Sequence, residues 1–484
     1  MSAAPPTARR LPRRGIWVYI RPRPRWRELG LLVVVGCALF VGSLSLGATL
    51  GVRAAILAAG GAPTSLDGLA TPAGADLLAV YLGALLAAHL VLVLAGRRTD
   101  QVLLPTVGLL GGLSLLLMER LPQDLAGALG GLARTQLVWL VLGIGALVAV
   151  GVAVRNDTWL RRYKYTWAAV GIGLLLLTFV LGREVNGQRL TLAIGPISGQ
   201  PTELLKVILV IFLAGYLSEN RSLLVEQSTR LGPLRLPPLP YLAPMVAMWA
   251  IALGIVVVQR DLGAALLLFA VFLLLLYVAT ARWSYVVMGL AAFVVGGGVL
   301  YAAFRHVRTR IDIWLDPFSQ AHDAGYQVVQ ALHAFARGGI LGTGLGGGLP
   351  TVGGGLPGGI PEVHTDFPFA ALGEELGLIG VLAVLGLYLV LIERGLRIAA
   401  SAADEFRAIL AAGLSLVVGV QACIIAAGNL KLVPLTGITL PFVSYGGSSI
   451  LANGLIVGLL LALSDRGVEA PPPPASPARR GLRR

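Results

Sequence analysis

The sequence predicts an all-α polytopic membrane helix bundle, and three observations carry this prediction. Of the 484 residues, 56% are hydrophobic and only 13% are charged, and the mean hydropathy is +0.82. The apolar residues occur in long runs, and about 20 such residues are needed to cross a bilayer as a helix. The polar residues that break this pattern are concentrated in one long connecting segment, residues 305–366. A soluble globular domain is therefore excluded as the main body of the chain.

Twelve apolar runs qualify as candidate spans when each is compared with the length of a membrane-crossing helix. The sixth run is short and begins with charged residues, and the boundary between the seventh and eighth is the least distinct. The predicted spans cover residues 29–50, 77–95, 102–118, 135–154, 165–182, 203–218, 241–258, 262–281, 284–304, 367–392, 408–428 and 446–464.

The chain divides into a membrane domain, residues 28–466, between two basic ends. Residues 1–27 and 467–484 are rich in Pro and Arg, a composition typical of disordered segments. Placing both termini in the cytoplasm puts most Lys and Arg on that side, as the positive-inside rule requires. The net charge of +14 then indicates topology and attraction to anionic membrane lipids, and no nucleic-acid partner is expected.

The segment 305–366 lies outside the membrane in this topology, and long ordered connections are usually functional. Its basic start includes Arg310, which indicates either a solvated face that contacts lipid head groups or a clamp for phosphate. Asp316, Gln320 and Asp323 follow. The segment is therefore the first place to look for a site.

A glycine-dense run, residues 338–348, follows the polar residues of that segment. It lacks the strand, the helix and the Lys of a phosphate-binding P-loop. The run therefore predicts a loop.

Charged residues also lie at the edges of the spans. Glu203 and Lys206 follow Pro201 at the start of the sixth span, and their i,i+3 spacing places them on one helix face. Ionisable groups at membrane depth are usually paired or line a cavity, so the two form either a structural ion pair or an anion-binding site. Asp261 lies between two spans and indicates either a turn or a residue of the same cavity.

The tenth and twelfth spans begin with polar residues. His364 and Asp366 precede the tenth span and Glu374 lies inside it, where a carboxylate needs polar partners. No His-x-x-x-His spacing supports a metal site. Ser444 opens the glycine-rich stretch 444–449, and irregular backbone at membrane depth survives only where it is buried in protein or lines a cavity.

Taken in order, these motifs resemble those of the SEDS family (shape, elongation, division and sporulation; the FtsW/RodA/SpoVE group), and the chain is most similar to its elongation-type members. The resemblance extends over about residues 75–464. The matching motifs are Asn186-Gly187, QPTELLK (200–206), QRDLG (259–263), DPF (316–318), GYQVVQ (325–330), GGILGTGLGGG (338–348), HTDFPFAALGEELGLIG (364–380) and PLTGITLPFVSYGGSS (434–449).

The resemblance implies a peptidoglycan glycosyltransferase in a bacterial cytoplasmic membrane. Such proteins polymerise lipid II and work with a class B penicillin-binding protein as the transpeptidase. A carboxylate of the large loop would act as general base. No cofactor is required, and whether a divalent cation, Mg²⁺ or Mn²⁺, assists at the pyrophosphate stays open. The resemblance carries over these residues as lining of the site: Glu203, Lys206, Asp261, His364, Asp366, Glu374 and Ser444.

The chain departs from the family pattern where the essential Asp is expected, because Gln320 stands there. A glutamine cannot accept a proton as a base. Asp323 could substitute for that Asp after rearrangement of the loop, Asp316 could serve instead, or the protein could be weakly active or non-catalytic.

Two other classes of function compete with the transferase. A lipid II flippase would also have many spans and intramembrane charges, although transporters place their site on broken helices of internal repeats, and no such repeat is evident. A non-catalytic scaffold for the penicillin-binding protein would account for Gln320.

Overall fold

The computed structural model describes residues 22–59, 71–123, 130–185, 188–194, 197–226, 229–231, 234–236, 239–349 and 359–465. Within them the chain is nearly all helical. The helices are α1 Trp26–Ala59, α2 Ala75–Leu94, α3 Leu103–Arg120, α4 Leu132–Ala153, α5 Thr158–Arg162, α6 Lys164–Leu181, α7 Pro201–Glu226, α8 Leu239–Val258, α9 Leu262–Thr280, α10 Trp283–Ala303, α11 Arg305–Leu315, α12 Tyr326–Gly338, α13 Pro368–Ala400, α14 Glu405–Asn429 and α15 Gly447–Leu463.

Each of the twelve predicted spans coincides with one helix. In the described part of the chain, eleven helices are long and apolar enough to cross a membrane. The twelfth predicted span corresponds to α15, an apolar helix of 17 residues. At 1.5 Å per residue this helix covers about 26 Å, slightly less than a hydrocarbon core. The prediction of a polytopic all-α bundle of about twelve membrane helices is confirmed.

The spans differ in how much of their surface the protein covers. Helices α3, α7 and α14 are the most buried, whereas α10 presents almost its whole length outward. The most extensive contact between two helices joins α4 to α15. A Cβ atom on Gly454 would lie 2.5 Å from the carbonyl oxygen of Gly143, and one on Gly143 would lie 2.6 Å from Cγ2 of Ile450. Small residues bring two helix backbones together in this way in membranes.

Two short sheets lie between the spans. Between α6 and α7 lies an antiparallel sheet in the order β1 Arg183–Val185, β2 Gln188–Ile194 and β3 Ile197–Gly199. The motif Asn186-Gly187 falls outside the described residues. Between α7 and α8 lies the hairpin β4 Thr229–Leu231 and β5 Leu234–Leu236.

The long segment 305–366 is largely helical rather than irregular, since it contains α11 and α12. Residues 350–358 lie outside the described part. Helix α11 follows α10 after a single non-helical residue, Phe304, and α12 packs along α13. This arrangement places the polar residues of the segment over the ends of α9, α13 and α14.

Helix α13 is broken at Gly377, whose φ of 66° and ψ of −167° lie outside the helical region. Glycine is needed there because a Cβ atom disfavours positive φ. The glycine run 338–348 fills the break, and the amide of Thr343 donates to the carbonyl oxygen of Glu374 at 3.0 Å. The run predicted as a loop is therefore bonded to the backbone of the bundle.

At the N-terminus, residues 1–21 of the predicted disordered arm lie outside the described residues. Helix α1 begins at Trp26, three residues before the predicted span. Arg25 is buried and donates to Glu28 through Nε at 3.0 Å and through Nη2 at 2.5 Å. Nδ1 of His89 lies 2.6 Å from Oε1 of Glu28, the oxygen that also accepts from Nε of Arg25. This buried network fixes α1 to α2.

Candidate functional site

The centre of the candidate site is the buried ammonium group of Lys206, which is 2% exposed. Its Nζ atom lies 2.6 Å from Oε2 of Glu203, 2.8 Å from Oε1 of Gln421 and 3.4 Å from Oδ1 of Asn453. The predicted pairing of Glu203 and Lys206 on one face of α7 is confirmed. One carboxylate and two amide oxygens from three helices therefore satisfy a cation that burial alone would destabilise.

A second layer of polar groups surrounds this cluster. Asp261 caps α9 by accepting from the amide of Ala264 at 2.9 Å, and its Oδ2 atom accepts from Nε2 of Gln200 at 3.3 Å. Nε2 of Gln421 donates to the carbonyl oxygen of Thr439 at 2.7 Å. Asp261 is thus both a turn residue and a lining residue of the cavity that holds Glu203 and Lys206. Asp261 therefore has a position compatible with both interpretations of the sequence, and its part in a functional site stays a prediction.

A larger polar pocket, of about 190 Å³, lies beside this cavity. Arg310, Asp366, Gln327 and Lys431 provide its polar lining. Nη1 of Arg310 donates to the carbonyl oxygens of Leu435 at 3.0 Å and Thr436 at 3.1 Å, which fixes the guanidinium in place. Gly437 lines both the pocket and the inner cavity, so the two meet there.

An apolar groove of about 530 Å³ opens on the other side of Arg310. Helices α8, α9 and α10 form its walls, with Trp249, Phe269 and Phe293 among the lining residues. Arg310 and Trp314 line both this groove and the polar pocket. An apolar channel between membrane helices therefore leads directly to a fixed cation.

The charges around Arg310 act on one another. The pKa of Asp366 is raised to about 6, chiefly by burial and also by the Glu362 charge, and Arg310 opposes the shift. Burial lowers the pKa of Arg310, while Asp366 and Asp261 hold it up. Burial likewise raises the pKa of Asp261. Arg310 therefore lies within electrostatic reach of a carboxylate on each side, and Asp366 changes protonation near neutral pH.

The predicted base candidates lie at the rim of this pocket rather than in its wall. Asp316 is exposed, and its Oδ1 atom accepts from the amide of Ser319 at 3.3 Å. Asp323 is also exposed, one residue before Ala324, which lines the pocket. The carbonyl oxygen of Gln320 closes the same turn by accepting from the amide of Asp323 at 3.0 Å.

Three further predicted site residues lie away from the cavities. The Ser444 hydroxyl accepts from the amide of Leu440 at 2.8 Å and stabilises a turn. The His364 ring stacks near Tyr445, 5.6 Å between centroids, and burial lowers the pKa of His364. Glu374 accepts from Nε of Arg337 at 2.8 Å beside the break in α13. The structure gives these residues structural contacts near the site.

Sequence reasoning missed several polar residues of the site. Gln421 and Asn453 lie within α14 and α15, where an amide in the middle of an apolar run is a usable signal. Ser448 and Ser449 belong to the stretch 444–449 and bond to the amide of Gln200 and the hydroxyl of Thr439. The informative serines of this stretch are therefore its last two. Gln327 belongs to the motif GYQVVQ but was not singled out as a site residue, and Lys431 gave no signal, because only the fold brings the two to the pocket of Arg310.

Among the residues that the structure describes, no cluster of three or more His, Cys, Asp or Glu side chains that could hold a metal ion is found. Mg²⁺ is often held by one or two carboxylates together with substrate phosphates. Asp366 is the carboxylate of the polar pocket that fits this pattern.

Comparison with known proteins finds relatives across most of the chain. The FtsW/RodA/SpoVE family of cell cycle proteins matches residues 78–467. The chain is 41% identical over 383 residues to the peptidoglycan glycosyltransferase RodA of Mycobacterium tuberculosis H37Rv, covering 78% of this chain and 80% of that protein. It is 39% identical over 334 residues to the probable peptidoglycan glycosyltransferase FtsW of Nitrosococcus halophilus, covering 66% and 80%.

Solved structures share the fold. A chain from a peptidoglycan synthase complex, described as coordinating polymerization and crosslinking, superposes with a TM-score of 0.60 at 26% identity over 76% of this chain and 98% of that chain. The rod shape determining protein RodA of Thermus thermophilus gives a TM-score of 0.53 at 25% identity, over 76% and 97%.

Proposed function

The chain belongs to the FtsW/RodA/SpoVE family, and from this premise we propose that it is a peptidoglycan glycosyltransferase that polymerises lipid II during cell elongation or division. Relatives of both the RodA and FtsW type carry the name peptidoglycan glycosyltransferase. The identity is slightly higher to RodA, which favours an elongation role.

The observation that carries the proposal is the position of Arg310 between an apolar groove and a polar pocket. Lipid II has an isoprenoid tail, a pyrophosphate and a sugar head. The tail can lie along the groove, the pyrophosphate can meet the fixed guanidinium of Arg310, and the sugar joined to the pyrophosphate then reaches the pocket lined by Asp366 and Gln327. Arginine suits this role because its fork binds phosphate oxygens in pairs.

In the proposed reaction, the 4-hydroxyl of the acceptor GlcNAc attacks C1 of the donor MurNAc with inversion, and undecaprenyl pyrophosphate leaves. A general base that removes the hydroxyl proton contributes about 10²–10⁴-fold. Positive charge from Arg310 stabilises the negative charge that develops on the leaving group. Lys206 lies deeper, and its bonds to Gln421 of α14 and Asn453 of α15 hold together the helices that shape the pocket.

Three carboxylates compete for the role of base. Asp323 and Asp316 lie on the exposed rim, where a substrate could bring its hydroxyl close to them. Asp366 lies in the pocket wall, and its pKa of about 6 suits a base that works near neutral pH. Asp366 is also the residue that would hold a divalent cation, Mg²⁺ or Mn²⁺, beside the pyrophosphate, where the ion would neutralise the phosphate charge. Binding a cation would compete with the role of Asp366 as the base.

The setting follows from the membrane bundle. We place both termini in the cytoplasm, because that orientation puts most Lys and Arg on the inside, and α11, α12 and the pocket then face outward. A class B penicillin-binding protein is the proposed partner. A similar chain is part of a peptidoglycan synthase complex, which supports this pairing.

The broken helix α13 is a feature that transporters also use. Here, however, the glycine run takes up the backbone groups freed at Gly377, and Glu374 and Glu375 are held in ion pairs with Arg337 and Arg120. The break therefore supports a closed structural role, and translocation is the weaker proposal.

The deciding experiment is glycan polymerisation from labelled lipid II by the full chain with its cognate penicillin-binding protein and with transpeptidation blocked. Asp323→Asn, Asp316→Asn and Asp366→Asn are compared with the wild type. Asp312→Asn, on α11 in the same segment, is the matched control.

Loss of polymer in one variant alone, with intact complex, would identify the essential carboxylate. Retained polymer in all three would show that no single one of these carboxylates is essential. No polymer from the wild-type complex would contradict the transferase and favour the scaffold.

A further inference from the structure

A second cavity, of about 640 Å³, lies at the opposite end of the bundle from the candidate site. It is formed where α1 begins, where α2 connects to α3, and where α13 and α15 end. Helix α13 begins beside Asp366 and ends beside this cavity, so its 33 residues separate the two sites by about 50 Å. The volume is within the usual range of ligand pockets, about 300–1,000 Å³.

The lining of this cavity is strongly basic. Asp100 is its only acidic lining residue among those the structure describes. Seven arginines face it: Arg23, Arg25, Arg27, Arg97, Arg98, Arg394 and Arg397.

Four of these arginines are already paired with carboxylates. The pairs are Arg25 with Glu28, Arg97 with Asp465, Arg394 with Asp100, and Arg397 with Glu393. The other three, Arg23, Arg27 and Arg98, are exposed, and within the described ranges none of them has an ion pair with a carboxylate. Within the described ranges, three positive charges therefore converge on the cavity without a carboxylate paired to any of them.

The surroundings of the cavity are those of a membrane surface. Trp26, beside Arg25 and Arg27, is 74% exposed, and tryptophan concentrates at the interface between lipid and water. One turn further along α1, Leu31, Val33 and Val34 are also exposed. A bound molecule can therefore place a charged head among the arginines and apolar chains along α1.

We propose that this cavity, the basic pocket, binds a phosphate-bearing anion, and that the occupant its surroundings favour is the head group of an anionic phospholipid. Arg23 and Arg27 precede residue 78, where the family match begins, whereas Arg98 and Arg394 lie inside it. The bound phosphate would thus bridge α1 to the α2–α3 connection and to α13. The site is independent of the proposed transferase reaction.

The test is binding to the full chain in detergent, measured by intact-protein mass spectrometry. The probes are dihexanoyl phosphatidylglycerol, dihexanoyl phosphatidylcholine and inorganic pyrophosphate. The pocket variant is the triple substitution Arg23→Gln, Arg27→Gln and Arg98→Gln. Since each arginine near a lipid phosphate contributes about fivefold, phosphatidylglycerol should bind roughly 100-fold more weakly to this variant at low salt. Added salt screens these charges and should reduce the difference in phosphatidylglycerol affinity between the wild type and the pocket variant.

The matched control neutralises three arginines on the same end of the bundle, Arg155→Gln, Arg161→Gln and Arg162→Gln. Arg97 donates to the carbonyl oxygen of Val154, which places this group at the same membrane level. The pocket substitutions remove no described side-chain bond. The control substitutions remove the partly exposed ion pair of Arg161 with Glu219 and the contact of Arg162 with the Tyr163 ring. Both variants should therefore fold, and thermal melting checks this.

Phosphatidylglycerol binding that is lost in the pocket variant and kept in the control would support the lipid assignment. Pyrophosphate binding that is lost in the pocket variant and kept in the control, with no binding of phosphatidylglycerol, would support the phosphate site and assign it to a soluble anion. Equal binding to the wild type and the pocket variant, equal loss in the control, or equal affinity for phosphatidylcholine would overturn the proposal.

Discussion

The Nζ atom of Lys206 donates to Oε1 of Gln421 across 2.8 Å, and this bond joins α7 to α14 at the most buried level of the bundle. The same nitrogen donates to Oε2 of Glu203, and Nε2 of Gln421 donates to the carbonyl oxygen of Thr439. A charged centre thereby positions the loop that carries Gly437, where the inner cavity and the polar pocket meet.

Removing one partner of this buried pair should cost more than removing both. Glu203→Gln leaves the Lys206 charge with neutral partners only, and breaking a buried pair destabilises by about 3–5 kcal/mol. The double variant Glu203→Gln with Lys206→Met should recover part of that loss. Thermal unfolding in detergent measures both. Glu405→Gln, which breaks the exposed pair with Arg221, is the control and should cost below about 1 kcal/mol. Equal losses in single and double variants would contradict this account.

Arg310→Lys should reduce kcat/KM for lipid II by about 10–100-fold while the protein stays folded. A lysine keeps the charge but loses the two bonds to the Leu435 and Thr436 carbonyl oxygens and the paired geometry for phosphate. Arg308→Lys, on the same helix but exposed over the ring of Tyr301, should leave the rate within about twofold, since it contributes no pocket wall. A similar loss in both variants would point to a general effect of helix α11.

The pH dependence should follow Asp366 if this residue takes the proton. Its pKa of about 6 means that the base form accumulates as pH rises through 6, so the polymerisation rate should climb between about pH 5 and 7. Asp366→Asn should abolish that limb of the profile. A limb that persists near pH 6 in the variant would assign it to another group.

The raised pKa of Asp366 also predicts how the stability of the folded protein changes with pH. Its pKa is higher in the folded state than the usual value of 3.8, so its favourable contribution is complete below that value and is lost as pH rises through about 6. We expect the melting temperature of the wild type to fall by a few degrees relative to Asp366→Asn between pH 4 and pH 7. A constant difference over this range would contradict the raised pKa.

Gly377→Ala should destabilise the bundle by several kcal/mol or prevent folding. A Cβ atom at this positive φ would lie 2.5 Å from the carbonyl oxygen of Ile340, so the glycine run 338–348 would have to leave the break in α13. The control is Gly386→Ala in the same helix, where a Cβ atom meets nothing within 4 Å. That change should be neutral or stabilise by up to about 1 kcal/mol. Melting temperatures distinguish the two.

Hydropathy was sufficient to predict the bundle, because crossing a bilayer imposes a length and a composition on each helix. Local spacing was sufficient for the Glu203 and Lys206 pair, since three residues on a helix fix their shared face. These features depend on neighbours in the chain. The helices inside the segment 305–366 were missed, because its glycines and polar residues hid two short amphipathic elements.

The site beyond that pair depends on contacts between distant segments, which spacing does not encode. Ser444 and Ser449 lie in one short stretch, yet the first stabilises a turn and the second bonds to Thr439 of the inner cavity. Asp316 and Asp323 have the carboxylates expected of a base. Their exposure at the rim of the polar pocket, however, depends on how α11 and α12 fold over the bundle. The base role stays a prediction for these two residues.

The buried contact between Glu28 and His89 has a practical consequence for anyone shortening this protein. The family match begins at residue 78, which invites a truncated version that starts there. Such a version would keep His89 and Thr99 but lose the Glu28 and Arg25 side chains that they contact. It would also uncover Leu116 of the core, which packs against Gly42 of α1. The boundary of sequence similarity is therefore not a boundary of folding, and expression trials should keep α1.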